Sequence, residues 1–389
     1  MVQKKIRAVY MRGGTSKGVF FLREWLPADE REWDSLLLRI IGSPDPYHKQ
    51  IDGMGGATSS TSKIVIVSRS GREDSDVDYL FGQVSVDKAV IDWSGNCGNL
   101  TSAVGPFVLS QGLIKCPDKG TVKVRIWQSN INARIIAHVH VRDGEVQEEG
   151  DYILDGVAFP GSEIRLEYLC PCGDDDETPM FPTGNVTDRL DIPGVGIVEM
   201  TLINAANPTL FIHAEALSLT GNELQNDINN DHTLLEKAER IRAYGAVKMG
   251  LASSTEEATK KRPHTPKLAF LSSPTSYTSS GGKKIESEQI DINARIFSMG
   301  KLHHAMTGTG AIAIAVAAAL PGTLAEKIVS SKSNAQLRIG HPSGRVEVGA
   351  VVERRSQDWF VSKAVMSRTA RRIMEGFVLV PDVKEEKAS

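Results

Sequence analysis

Residues 99–113, "NLTSAVGPFVLSQGL", and residues 309–322, "TGAIAIAVAAALPG", decide the fold. Each reads as a helix, and neither has a polar face. A helix that is apolar all round must be enclosed on every side. The rest of the chain supplies the material: short β-branched segments bounded by turns at 63–68 (KIVIVS), 121–128 (TVKVRIWQ), 134–141 (RIIAHVHV), 196–204 (GIVEMTLIN) and 209–217 (TLFIHAEAL). A third helix is expected over 233–250, with Leu234, Ala238, Ile241 and Tyr244 at helical spacing. The expectation is an α+β protein in which each apolar helix lies inside a curved sheet.

The two apolar helices share a plan. Each starts in a glycine-rich polar turn, "NCGN" or "MTGTG", and each ends at glycine. Two such units about two hundred residues apart predict two pseudo-symmetric domains, 1–185 and 186–389, with the final segment free to return to the first. The boundary falls in "CPCGDDDETPMFPTGN" (170–185), where prolines and an acidic run end the periodicity. Cys170 and Cys172 there lack the second ligand pair of a zinc site, so a surface loop is expected and no metal.

Composition narrows the function. A net charge of −3 provides no basic stripe for nucleic acid. The longest apolar run, Ala311 to Leu320, is about half a membrane span. Four unevenly spaced cysteines and an N-terminus without signal-peptide features fit a reducing cytoplasm. Residues 384–389, "KEEKAS", read as a frayed polar tail.

Four stretches hold candidate chemistry. The helix-start turns come first. Free amides and the helix dipole make each an anion site, one around Asn96, Gly98 and Asn99, the other around Met306, Thr307, Gly308, Thr309 and Gly310. Plain helix capping is the competing reading for either turn alone; the pair favours carboxylate binding. Cys97 sits at the head of the first. The loop at 53–67 offers the hydroxyls of Thr58, Ser59 and Ser60, and Lys63 opens the strand that follows. A lysine partly desolvated at a strand mouth can act as a base, and an ordinary loop with an exposed lysine is the competing and commoner reading. "MRGGTSKGVFF" (11–21) adds Ser16 and Lys17 for an anion but lacks P-loop spacing. His303 and His304 adjoin the second turn without metal-site spacing, and "HTPK" (264–267) is a weaker loop signal.

These places also carry a resemblance. "YMRGGTSKGVFF" (10–21), "GSPDPYHKQIDGMGGATSSTSK" (42–63), "IDWSGNCGN" (91–99), "MFPTGN" (180–185), "SMGKLHHAMTGTGA" (298–311) and "GHPSG" (340–344) together resemble the PrpF-type 2-methylaconitate cis-trans isomerases. The similarity runs from about residue 7 to about residue 381. It implies the diaminopimelate-epimerase-like fold: two similar domains, each a curved β-barrel-like sheet around a central helix, with the site in the cleft between them and no cofactor. Racemases of this fold commonly place a cysteine at the head of each central helix. Here Cys97 holds one position and Thr307 the other, which points away from a symmetric two-thiol racemase.

The resemblance implies Lys63 as the general base and Cys97 as its acid/base or polarising neighbour. It further implies a small tricarboxylate substrate and, as metabolic partner, an aconitase-like 2-methylcitrate dehydratase in propionate breakdown; a homo-oligomer is compatible with it. Similar enzymes act on 4-oxalomesaconate or 3-methylitaconate. A non-catalytic carboxylate-binding accessory protein is the reading from another class.

Overall fold

The computed structural model describes residues 3–172, 179–329, 336–355 and 358–381. The expected tail at 384–389 and part of the boundary segment, 173–178, lie outside the described residues. Both apolar stretches are helices, Gly98–Ser110 and Gly308–Ala318. The first is buried from Gly98 to Leu109, the second from Gly308 to Ala317. That burial is the enclosure their composition demands.

A repeated topology achieves it. In the first repeat the hairpin Lys4–Gly13 and Ser16–Leu22 is followed by Lys63–Arg69, which lies parallel to the hairpin's second strand. In the second repeat Gly196–Ala205 and Asn207–His213 form the hairpin, and Lys267–Ser272 lies parallel to its second strand. A parallel pair needs a crossover, and each repeat supplies a helix in it: Trp33–Ile41 in one, His232–Lys248 in the other. Each packs on the outer side of its sheet, with its own apolar cluster.

The correspondence continues beyond the parallel strand. Val77–Val84 pairs antiparallel with Lys63–Arg69 and parallel with Lys119–Gln128. Ile292–Ser298 does the same with Lys267–Ser272 and Leu337–His341. The central helix precedes the last-named strand in both cases. It packs against strands of its own repeat, Lys4–Gly13, Ser16–Leu22 and Ala133–Arg142 in the first, Gly196–Ala205, Asn207–His213 and Gly344–Arg355 in the second. The architecture is α+β, a curved sheet around a central helix, twice.

The repeats are joined by hydrogen bonds. Ile164–Leu169 of the first pairs with Asp358–Arg368 of the second. The last strand, Ala370–Val380, returns to pair with Lys4–Gly13, as Asp188–Ile192 pairs with Gly196–Ala205. One apolar core runs through both central helices, from Leu100, Val104 and Phe107 to Ile312, Ile314 and Val316.

Several expected elements are shorter than their patterns, the second central helix ending at Ala318 and the third helix at Lys248. The segment 209–217 is a strand only to His213; Ala214–Leu217 turns into a 3-10 helix, where Ala, Glu, Ala and Leu favour helical backbone. The first central helix stops at Ser110, and Gly112, in the left-handed region, reverses the chain while Leu113 returns its N–H to the Val108 carbonyl.

Candidate active site

The two central helices meet head to head. A Cβ added to Gly98 would stand 2.8 Å from the Thr309 nitrogen, and one on Gly308 would stand 2.7 Å from the Gly98 carbonyl carbon. Only glycine allows so close a backbone approach. Both sets of free N-terminal amides, and the positive ends of both dipoles, therefore converge on one place.

A small cavity of about 10 Å³ lies there. Its walls include Ser16, Lys63, Asn96, Cys97, Gly98, Asn99, Thr307, Gly308 and Thr309 from the expected set. His264, Lys267, Ser298 and His303 complete the walls. Two lysines, two histidines, a thiol and two helix starts face it, and among the described residues no carboxylate does. In sign and in hydrogen-bonding character that lining suits an anion.

Lys63 is 4 % exposed and is the first residue of its strand. Its Nζ donates to Gln83 Oε1 at 2.5 Å and stands 5.1 Å from the Phe81 ring centroid. Gln83 is itself fixed, its Nε2 donating to the carbonyls of Ser59 and Ser62 at 3.1 Å each. Burial pushes the Lys63 pKa down from the usual lysine range, against the opposing pull of charge and hydrogen bonding from Cys97. The amine is thereby moved toward the neutral, proton-accepting form.

Cys97 heads the first helix without capping it: its side chain accepts no hydrogen bond from the first turn. Thr307 heads the second and does cap it, with Oγ1 accepting from the Gly310 amide at 3.2 Å. The two corresponding side chains have different uses. Thr307 serves the helix, while the thiol is left to the cavity.

Other expected residues divide by their contacts. Asn99 is spent on structure: Nδ2 donates to Thr15 Oγ1 and the Met306 carbonyl, and Oδ1 accepts from Arg368 Nε. Asn96 binds Asn207 across the repeats, its N–H donating to Asn207 Oδ1 at 3.0 Å. Asn96 Nδ2 and Ser16 Oγ, both buried, have no partner among the described residues, which suits groups that wait for a ligand. Lys17, Thr58, Ser59, Ser60, Met306 and Gly310 do not line the cavity. Thr58 and Ser60 bond each other, and Ser60 reaches His304 Nδ1 at 3.3 Å. His304 in turn stacks on His303, with centroids 4.7 Å apart. Lys17 Nζ lies 5.4 Å from the Tyr10 ring centroid.

Lys267, Ser298 and Gln83 lie outside the expected site residues, and "HTPK" (264–267) reads as a loop open to polar contacts. The available signal was the lysine that opens "KLAFLS" (267–272) as Lys63 opens "KIVIVS". Cys170 and Cys172 carry free thiols, and the described residues include no group of three or more His, Cys, Asp or Glu side chains placed to hold a metal.

With this geometry in place, comparison with known proteins is direct. The family model described as "PrpF protein" matches residues 3–381. The chain belongs to the PrpF family. It is 56% identical over 388 residues to a protein of Shewanella oneidensis named 2-methyl-aconitate isomerase, covering 97% of this chain and 98% of the relative. A Cupriavidus necator protein of the same name is 53% identical over 388 residues, with the same coverage. Among solved structures, that of a methylitaconate-delta-isomerase superposes with a TM-score of 0.76 at 37% identity, covering 98% of this PrpF-family chain and 96% of the other.

Proposed function

We propose that this chain is an isomerase that interconverts the cis and trans forms of 2-methylaconitate through proton transfer by its own side chains. The single observation that carries the reading is the cavity at the head-to-head helix starts, lined by cations and helix amides and, among the described residues, by no carboxylate. A substrate with three carboxylates matches that field. The two relatives named 2-methyl-aconitate isomerase support the choice of acid.

The chemistry follows from the positions. The neutral amine of Lys63 takes a proton from the carbon next to the double bond. The electron pair left behind spreads across the former C=C bond into a carboxylate, and that bond gains single-bond character. Rotation then precedes reprotonation. Helix amides, cations and the free donors of Asn96 and Ser16 stand where negative charge develops. Cys97, which lines the cavity beside Lys63, polarises the same region.

The cavity has room for about one water. Entry of a tricarboxylate therefore requires the two repeats to part and close again. Domains of 1–185 and 186–389 are the units we assign to that motion, with Ala370–Val380 returned to the first. A cytoplasmic setting beside an aconitase-like dehydratase remains part of the proposal; no helix among the described residues is long and apolar enough to cross a membrane.

The test is incubation of the pure protein in heavy water with 2-methylaconitate, 4-oxalomesaconate or 3-methylitaconate, with and without chelator, followed by NMR. Isomerisation and deuterium uptake with the first acid alone, unchanged by chelator, are expected. Turnover of another acid in its place reassigns the substrate. Binding without exchange of any substrate proton contradicts the isomerase reading.

A further inference from the structure

The second repeat carries a buried lysine where the first carries Lys63. Lys63 opens the strand parallel to Ser16–Leu22, and Lys267 opens the strand parallel to Asn207–His213. Register places Lys63 opposite Gln83. The pairing of Ala269 with Ile296, continued by two residues, brings Lys267 opposite Ser298. In each repeat that cross-strand neighbour binds the amine, Gln83 Oε1 at 2.5 Å and Ser298 Oγ at 3.1 Å. Both lysines line the cavity, and Lys267 is 2 % exposed. They are equivalent residues of the pseudo-symmetric pair.

The surroundings of Lys267 suit an amine that changes its protonation state. Its direct partners are neutral: Ser298 Oγ, and His264 Nδ1 at 3.0 Å. His264 Nε2 faces the Asn96 carbonyl at 3.4 Å, which puts the ring proton on Nε2 and leaves Nδ1 to accept. Burial and the neighbouring cations keep that imidazole neutral. From the first repeat Lys63, Cys97 and Asp92 act on Lys267, and from its own side His264, His303 and Arg242. Arg242 is paired with Glu239. Asp92 is engaged by the N–H groups of Ser94 and His264. A lysine kept only as a fixed cation is usually given a carboxylate partner; this one has acceptors that satisfy either an ammonium or an amine.

Two ammonium ions in one buried cavity repel, so the pair is most stable with one proton between them. That arrangement provides a base and an acid together. We propose that Lys267 is a second catalytic residue, the acid that returns a proton to the carbanion Lys63 generates. Lys63 accepts a proton from carbon, and the C–H electron pair passes into the conjugated acid. An N–H bond of the Lys267 ammonium then breaks, its proton bonds to carbon, and the nitrogen keeps the pair. Exchange with water afterwards removes the proton from Lys63 and restores that of Lys267. Burial and Lys63 together bring Lys267 down to about 7, so both of its forms are populated near neutrality.

The inference rests on the isomerase reading, and its test separates the two. Lys267→Arg keeps a cation that gives up no proton near neutral pH; Lys267→Met removes charge and proton together. Turnover of 2-methylaconitate should fall about 100-fold or more in both. Thermal unfolding and trans-aconitate binding by the Arg variant should stay near wild type. The kcat/KM profile of the wild-type enzyme should show an alkaline limb near pH 7, absent from the residual activity of either variant. An Arg variant within about threefold of wild-type kcat, or a wild-type profile without that limb, overturns the role of Lys267 alone. A wild-type protein with no activity on 2-methylaconitate overturns the isomerase reading and this inference with it. If the Met variant fails to fold, the Arg variant and the wild-type profile decide.

Discussion

Alanine in place of Gly98 or Gly308 should separate the two helix starts on which the site is built. In Gly98→Ala the new Cβ would meet the Thr309 nitrogen at 2.8 Å and the Gly308 carbonyl carbon at 2.9 Å. In Gly308→Ala it would meet the Gly98 carbonyl carbon at 2.7 Å and the Asn99 nitrogen at 3.0 Å. Ordinary contact begins at 3.4 Å, and backbone atoms cannot rotate aside. The helices must therefore part by about half an ångström, at a cost of roughly 1–3 kcal/mol for overpacking. Alanine returns about 0.5–1 kcal/mol through helix propensity, which leaves a net loss of up to about 2.5 kcal/mol. In a chain of this length that lowers Tm by at most about 3 °C. Activity should suffer more. Displacement of catalytic groups by about 1 Å costs on the order of 100-fold, so a loss of about tenfold or more in kcat is expected for half that movement. Gly281→Ala is the control, since nothing lies within 4 Å of its added Cβ. The assay is thermal unfolding of all three variants with kcat on 2-methylaconitate. Wild-type Tm and kcat at both helix-start positions would refute the head-to-head assembly of the site.

Gln83→Leu removes the acceptor of Lys63 and the donor to Ser59 and Ser62. A loss of about 1–3 kcal/mol in urea unfolding is expected from the buried partners left without hydrogen bonds, with a fall in kcat larger than any change in KM. His341 is buried, and desolvation, with the Arg295 and Arg368 charges adding to it, brings its pKa down to about 3. Between that value and the unfolded value near 6.5 the unfolded chain binds a proton that the folded chain does not. Its contribution to stability is therefore complete above about 6.5 and erodes as pH falls, by about 2 kcal/mol at pH 5. Urea unfolding at about pH 7 and pH 5 should show that much less loss in His341→Asn than in wild type.

Physical reasons separate what was legible in the chain from what was not. The apolar helices announced themselves because uniform burial leaves no polar face to confuse the pattern. Lys63 opens a strand, but its place alone reads equally as an exposed loop lysine; the resemblance singles it out, and only the fold shows that it is buried. Lys267 holds the corresponding place but follows His264, Thr265 and Pro266, which read as a turn. The lysine that opens "KLAFLS" hints at the equivalence, and the strand register settles it, with Lys63 bound to Gln83 and Lys267 to Ser298 in matching positions. The polar turns are broader in sequence than the cavity wall they form. Gly310 and Met306 belong to the same motif as Gly308, yet a helix start directs only its first amides to one point. The hydroxyl of Thr307 is already spent on the cap. For the hydroxyl loop, Thr58 and Ser60 satisfy each other, a pairing that residue type alone does not reveal.

The central claim is that the Lys63 amine starts the reaction by taking a proton from carbon. The most direct test is Lys63→Ala with 2-methylaconitate in heavy water, followed by NMR alongside the wild-type protein. The wild type should isomerise the acid and exchange one class of its carbon-bound protons. The variant should melt near the wild-type temperature and show neither process above background. Isomerisation or exchange in the variant at near the wild-type rate would contradict the account.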